Sequence, residues 1–369
     1  MADAWTHTAL AQQLVFGAGS VARLPELVKL LGARKALLVT TEGRLGSPDG
    51  ERVVSLLGRN LASTFAEVQS HVPVPLVQQA VRQARRDGID AVVSFGGGSC
   101  ADLAKAVCYF MEQEAGMSGS SHIDRSMVPH VSIPTTYSGA ELTPFFGMTD
   151  PTTRQKQGAG GPTSAPIIAV YDPDLTMSTP ARVSAETGMN ALAHCVEAAW
   201  SPQRTPEAEA IALAGARAIA EALPAVVADP GDTDARSRML AGAALAGRCL
   251  LNAGMGVHHG LAQLVGGRTG ISHGLANAIL LTHAVRFNAD AVPDDVARIG
   301  AALGGASDAA AAIDGLRAAI GLPGRLSEVG VAKEDLEVVA RLLQSNHNVA
   351  RNPRSVSEDD ALAILRAAW

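Results

Sequence analysis

Two patterns of hydrophobic and polar positions divide the chain. Up to about residue 178, short aliphatic runs alternate with amphipathic stretches. Leu14-Val15-Phe16-Gly17 reads as an edge strand and turn. Ser20–Leu31 reads as a helix, with Ser20 as its N-cap and Val21, Leu24, Leu27, Val28 and Leu31 on one stripe. Ala36–Thr40 and Ala91–Phe95 are unbroken aliphatic runs, the pattern of strands covered on both faces of a parallel sheet. Further strands are expected at Thr64–Val68, Val131–Pro134, Phe145–Met148 and Pro166–Tyr171. Helices are expected at Glu51–Leu57 and Pro73–Asp87, and a polar, Gly-rich excursion at Thr152–Thr163. Buried strands alternating with helices predict an open α/β sheet. Beyond residue 179 the period is helical throughout. Nine Ala- and Leu-rich segments follow, from Ser184–Trp200 through Pro206–Leu223, Ala235–Asn252, Gly256–Val265, Ala276–Phe287, Pro293–Leu303, Asp308–Ile320 and Lys333–Leu343 to Ser357–Trp369. The expected organisation is an α/β domain over 1–178 and an all-helical domain over 179–369.

Composition narrows the classes. The length of 369 residues favours two cores over one, and only 4% of residues are aromatic, so those cores must be aliphatic. A net charge of -6 argues against nucleic acid or an anionic membrane as the main partner. Four cysteines, Cys100, Cys108, Cys195 and Cys249, form no CxxC pair and read as buried small hydrophobes of a reducing compartment. Met1–Trp5 has neither the basic nor the apolar region of an export signal, so a cytoplasmic location is expected. The apolar stretch Ala208–Ala228 is interrupted by Arg217, Glu221 and Pro224 and is not expected to span a membrane.

Two sets of residues carry chemistry. The strand Ala91–Phe95 runs into Gly96-Gly97-Gly98-Ser99, followed by Asp102 and Lys105 on a helix. Strand, glycine turn and helix start together suit a diphosphate, because backbone N–H groups and the positive helix end face the anion. Thr135, Thr136 and Tyr137 cluster at the end of another strand, where α/β sheets bind ligands. In the second half, Asn190 and His194 lie one turn apart on a helix, and His258, His259 and His273 follow inside Gly/Ala-rich segments. These imidazoles suit either a metal site or a metal-free acid/base pocket. His7, His71, His122, His130 and His347 read instead as ordinary structural histidines.

Several of these segments, in this order, resemble the iron-containing (group III) alcohol dehydrogenase superfamily: Gly96-Gly97-Gly98-Ser99 with Asp102 and Lys105, Pro134-Thr135-Thr136, Gly188-Met189-Asn190-Ala191 with His194, His259-Gly260, and His273-Gly274-Leu275-Ala276-Asn277. Phe16-Gly17-Ala18-Gly19, Pro134–Pro144, Tyr171-Asp172-Pro173, His258-His259 and Asn352-Pro353-Arg354 make the chain most similar to maleylacetate reductases within it. The resemblance implies a Rossmann-like first domain, a helical second domain, an NADH or NADPH site in the cleft between them, and a homodimer. Gly96, Gly97, Gly98, Ser99, Asp102, Thr135, Thr136 and Thr41 would bind the cofactor, and Thr41 at its strand end would admit either nucleotide. His194, His258, His259, His273 and Tyr137 would be catalytic, with Asn190, Gln263, His194 and His259 meeting a small, anionic carboxylated substrate and Arg248 and Arg354 as candidate cationic partners. In metal-dependent members Asn190, His194, His259 and His273 would be the metal ligands, with Asp in place of Asn190. An amide offers a dipole where a carboxylate offers a full charge, so the resemblance implies chemistry without a tightly held metal. Gln263 stands where many members have a proton-relaying histidine, and Gln cannot titrate. The implied activity is reduction of the electron-poor C=C of maleylacetate to 3-oxoadipate. A metal-dependent alcohol dehydrogenase or aldehyde reductase of the same fold, and a biosynthetic relative with altered chemistry, are the alternatives.

Overall fold

The computed structural model describes residues 4–7, 9–116, 126–152 and 156–369, and His122 lies outside them. Two compact units result: Ala9–Thr179, and Pro180–Trp369 together with the described residues ahead of Ala9.

The first unit runs β1 (Gln13–Phe16), α1 (Leu24–Leu30), β2 (Ala36–Val39), α2 (Glu42–Leu45), α3 (Pro48–Leu57), β3 (Leu61–Phe65), α4 (Val74–Asp87), β4 (Ala91–Gly96), α5 (Gly98–Glu114), β5 (His130–Pro134), β6 (Phe145–Thr149), β7 (Lys156–Gly160) and β8 (Ile168–Tyr171). Six strands form one sheet in the order β1-β8-β5-β4-β2-β3, every pair parallel. Alternate residues of β2 and β4 feed two cores. Leu37, Val39 and Val92 join one, with α4 and α5 residues such as Val81 and Leu103; Ala36, Leu38, Val93 and Phe95 join the other, with Leu24, Val28 and Val53. Burial on both faces is why these strands read as continuous aliphatic runs. The order also sets the C-terminal ends of β2, β4 and β5 side by side, with Gly96 paired to Pro134.

Four expectations need correction here. Ser20–Leu31 is not one helix. A 3-10 turn at Ser20–Arg23 precedes α1, which starts at Leu24, and Gly19 rather than Ser20 stands at the N-cap of that turn. The Asp172 carboxylate accepts from Gly19 N at 3.0 Å and Val21 N at 2.9 Å, so the two motifs Phe16–Gly19 and Tyr171–Pro173 are partners in space. The strand expected at Thr64–Val68 is Leu61–Phe65; Val68 enters the same core from the following loop, so its apolarity mimicked a strand residue. The Gly-rich excursion contains β7, which pairs antiparallel with β6, a strand whose Gly and Gln left no alternation to read. The short α2, capped by Thr41, was also hidden by its length.

The second unit holds α6 (Ala181–Trp200), α7 (Pro206–Ala228), α8 (Thr233–Ala253), α9 (Val257–Thr269), α10 (His273–Asn288), α11 (Pro293–Ala302), α12 (Ala309–Ala319), α13 (Lys333–Leu343) and α14 (Glu358–Ala368). α6 is buried continuously from Gly188 to Trp200 and packs on α7, α8 and α10. Such a helix shows no polar face to water, so each polar residue on it needs an internal partner. Small residues permit the close packing: a Cβ on Gly242 of α8 would stand 2.9 Å from Ile219 of α7. By length and apolarity α7 does qualify as a candidate span, with mean hydropathy 1.6 in its richest window despite Arg217 and Glu221. Its place against α6, α8 and α11 accounts for that apolarity as helix packing. The four cysteines are buried and unbridged. His130 is also internal, its Nε2 2.8 Å from Ser94 Oγ.

Candidate active site

The first constellation lies at the sheet end of the N-terminal unit. β4 ends at Gly96 with φ +145°, a conformation that an L side chain rarely adopts, and the chain turns through Gly97 into α5. A Cβ on Gly97 would come within 3.2 Å of Thr136 Cγ2, and one on Gly98 within 2.9 Å of Ser138 Oγ. Glycine is therefore what leaves the turn's backbone accessible. Thr135 N donates to Gly96 O at 2.9 Å, tying the two strand ends together. The Thr135 and Thr136 hydroxyls are buried and have no hydrogen-bond partner among the described residues. Orphaned hydroxyls beside exposed N–H groups at the start of a seventeen-residue helix fit a nucleotide diphosphate. Ser99 sits in the first turn of α5, half-buried. Thr41, at the end of β2, accepts from Arg44 N at 3.2 Å and caps α2.

Three residues expected at this site are otherwise engaged. Lys105 is fully buried; its Nζ pairs with Asp102 Oδ1 at 2.8 Å and donates to Ala140 O at 2.8 Å and to Phe145 O. Lys105 and Asp102 thus brace the loop from Ser138 to Phe145 against α5, and Lys105 offers no charge to a phosphate. Tyr137, just ahead of that loop, is fully buried.

The second constellation lies wholly within the helical unit. Asn190, His194 and Glu197 occupy one face of α6, and all three are buried. The His194 and His259 rings stack, centroids 4.7 Å apart with 22° between planes. His273, the first residue of α10, tilts toward His259 at 6.0 Å. Asn277, one turn on, donates to His273 O at 2.7 Å. Sequence reasoning missed Glu197, and it is the pivot. Its Oε2 lies 2.6 Å from His259 Nδ1 and accepts from His259 N at 3.2 Å; its Oε1 accepts from Gly256 N at 3.0 Å and His258 N at 3.1 Å. Asn352 Oδ1 accepts from Val257 N at 3.2 Å. The first-turn N–H groups of α9 are thereby satisfied by two side chains from distant elements. The signal that could have found Glu197 is its spacing: a carboxylate at i+3 from His194, on a helix otherwise bare of charge from Gly188 to Trp200.

Other candidates fall away from this cluster. His258 is fully buried, its Nε2 3.0 Å from Asn277 O and its Nδ1 3.2 Å from His259 Nδ1, so it braces α9 against α10. Arg248 pairs with Glu207 on the surface. Arg354 stacks on Phe287 at 4.3 Å and donates to its carbonyl. Gln263 accepts from Asn348 at 3.4 Å.

Burial disfavours ionisation of Glu197, but hydrogen bonds from His258 and His259, and their charges, overcome it and hold the carboxyl well below the usual range. Burial, with the neighbouring His259, holds His194 well below the ordinary imidazole value, so His194 is neutral. Glu197, His258 and His259 are close enough to be tested as a metal site. Nitrogen and oxygen ligands of a tetrahedral ion at about 2.0–2.1 Å would stand about 3.3 Å apart. The 2.6 Å between Glu197 and His259 is a hydrogen-bond length, and both carboxylate oxygens are already taken by N–H groups. Asn190, His194, His259 and His273 bring no carboxylate. Asn190 thus offers a dipole where a carboxylate would offer a full charge to a cation.

A glycine turn at the end of a parallel strand, with an imidazole cluster around a buried helix, is the arrangement of a nicotinamide-dependent oxidoreductase. The chain belongs to the iron-containing alcohol dehydrogenase family: residues 11–173 match its iron-containing alcohol dehydrogenase domain and residues 184–369 its C-terminal domain. It is 35% identical over 365 residues to a maleylacetate reductase of Rhizobium sp. (strain MTP-10005), covering 99% of this chain and 97% of the relative. It is 37% identical over 362 residues to maleylacetate reductase 2 of Cupriavidus pinatubonensis, covering 97% and 94%. The crystal structure of maleylacetate reductase from Rhizobium sp. strain MTP-10005 superposes with a TM-score of 0.88 at 34% identity, covering 100% of this chain and 99% of that one.

Proposed function

We propose that this enzyme reduces maleylacetate to 3-oxoadipate with NADH or NADPH and without a bound metal. The observation that carries the reading is the cluster of Asn190, His194, His259 and His273, in which the one carboxylate, Glu197, faces His259 rather than a pocket. Relatives named for this activity at 35% and 37% identity support the same substrate.

Gly96–Gly98 present backbone N–H groups to the diphosphate, and Thr135 and Thr136 supply hydroxyls beside it. NAD(P)H bound there supplies a hydride to the electron-poor C=C. The carbon next to the substrate carbonyl then carries enolate charge, which needs donors and a proton. His194, held neutral, is suited to hydrogen-bond the developing oxyanion. His259, backed by the Glu197 carboxylate, is suited to carry the proton to carbon. Asn190 and the half-buried His273 offer donors to the substrate carboxylates. Subunits are proposed to pair as a homodimer in the cytoplasm. The decisive assay is NADH and NADPH oxidation with maleylacetate before and after exhaustive chelation. Turnover that survives chelation is expected; an enzyme that leaves both nucleotides unconsumed would rule the substrate out.

A further inference from the structure

We infer that the nucleotide site prefers NADH to NADPH: Arg44, the basic side chain of the short helix after β2, is committed to Ser178 and Thr179, while Glu42 and Glu67 set negative charge beside the place of the ribose 2′ oxygen. The inference rests on the reading of Gly96–Gly98 as the diphosphate cradle.

Register places the end of β2 beside the glycine turn. Val39 pairs with Ser94, so Thr41 comes level with Gly96, and Thr40 Oγ1 donates to Phe95 O at 2.7 Å. Neighbouring strands lie about 4.8 Å apart. A ribose joined to a diphosphate at the turn therefore reaches Thr41. At this place nucleotide-binding sheets put a carboxylate for the 2′-OH of NADH, or an arginine for the 2′-phosphate of NADPH. Thr41 is neutral, but Glu42 follows it directly and Glu67 is bridged to it through the backbone, and both are exposed. A 2′-phosphate would bring a further charge of about −1.5 to −2 against these two carboxylates. Arg44 is the group that could offset them, and it turns elsewhere. Half-buried, it donates from Nη1 to Ser178 Oγ at 2.6 Å and from Nη2 to Thr179 Oγ1 at 2.7 Å. Ser178 Oγ donates onward to Asp49 Oδ2 at 3.1 Å, and Thr179 Oγ1 to Thr135 O at 2.6 Å. Burial lowers the Arg44 pKa and Asp49 raises it, so the guanidinium already faces a carboxylate. Swinging out to a 2′-phosphate would break both of these hydrogen bonds and loosen the hold on Thr135, a residue of the cradle. Arg44 thus serves both nucleotides alike, as a positioning residue behind Thr135.

Fluorescence titration of the wild-type protein with NADH and with NADPH reads the preference without turnover. NADH is expected to bind about 10-fold tighter; NADPH binding equally well or better would overturn the inference. Glu42→Gln removes one exposed carboxylate. It is expected to narrow the ratio about 3–5-fold by strengthening NADPH alone, and an unchanged ratio would refute the charge argument. Arg44→Gln, checked for folding by a thermal melt, is expected to raise both dissociation constants by the same factor. A selective loss of NADPH affinity would show that Arg44 does turn to the 2′-phosphate, and would also overturn the inference. A wild-type protein that binds neither nucleotide would defeat the cradle reading itself, a failure distinct from binding both with the opposite preference.

Discussion

Gly98→Ala separates the cofactor role of the glycine turn from its structural role. The added Cβ would lie 2.9 Å from Ser138 Oγ, 3.1 Å from Ser138 Cβ and 3.6 Å from Ala140 Cβ. Ordinary carbon separations begin near 3.5 Å, so the Ser138 loop must retreat by a few tenths of an ångström. Overpacking of this size costs about 1–3 kcal/mol. Alanine is about 1 kcal/mol better than glycine in a helix, and position 98 opens α5, so the net destabilisation should be about 0–2 kcal/mol. Binding should suffer more. In the proposed cofactor pose the diphosphate lies against this turn, and each charge-assisted N–H hydrogen bond that the methyl group blocks is worth about 1.5–3 kcal/mol. Blocking one such bond corresponds to a rise in the NADH Kd of about 10–100-fold. Fluorescence quenching of NADH measures it, with a thermal melt on the same sample. Gly98→Ala combined with Ser138→Gly removes the clash within the protein and leaves the methyl group in the phosphate's path. An unchanged Kd in the single variant, or full recovery in the double one, would refute the idea that this turn touches the diphosphate.

Two further outcomes follow from buried charges in the same unit. His130, buried beside Ser94 and near Lys105, has its pKa pushed down to about 3 by burial first and by Lys105 second. The unfolded chain takes up this proton near pH 6.5 and the folded chain only near 3, so the contribution is complete above 6.5 and fades as pH falls toward 3, by about 1.4 kcal/mol per pH unit. Urea denaturation at pH 7 and pH 5 should show a smaller acid loss in His130→Asn than in wild type; equal losses would disprove it. Lys105→Met leaves Asp102 without its ion partner and two carbonyls without a donor, and should destabilise the protein by about 2–4 kcal/mol in chemical denaturation. A change below about 1 kcal/mol would show that the Lys105 network does not brace the loop.

The division into a sheet unit and a helical unit was legible because burial writes itself into period. Ala36–Val39 and Ala91–Phe95 are aliphatic throughout since they are covered on both faces, and no helix could be mistaken for them at that length. What stayed hidden depended on partners far along the chain. β7 has glycines where a strand would show apolar alternation, and only its pairing with β6 makes it one. Ser20 looked like an N-cap, but the groups that satisfy the Gly19–Val21 turn come from Asp172, far along the chain. Lys105 follows a glycine turn, and nothing in its own segment reveals that its fully buried amine serves carbonyls in the next loop. His258 and His259 are neighbours in sequence, yet successive helix residues point apart, so one meets the carbonyl of Asn277 and the other the carboxylate of Glu197.

The placement of negative charge decides what kind of catalyst the helical unit can be. A carboxylate at position 190 would point with His194 into the pocket and offer a full charge to a cation; Asn190 offers none. The buried carboxylate on that face is Glu197, two turns from Asn190, and there its oxygens are consumed by three backbone N–H groups and one imidazole. There the carboxylate lies 2.6 Å from His259 Nδ1, and that contact helps to keep Glu197 ionised. His194, stacked on that ring and further disfavoured by burial, is kept neutral by it. Two adjacent imidazoles with opposite tendencies result from one buried anion behind only one of them. In the proposed reaction these two rings would supply the proton and the hydrogen bond that protonation of an enolate requires.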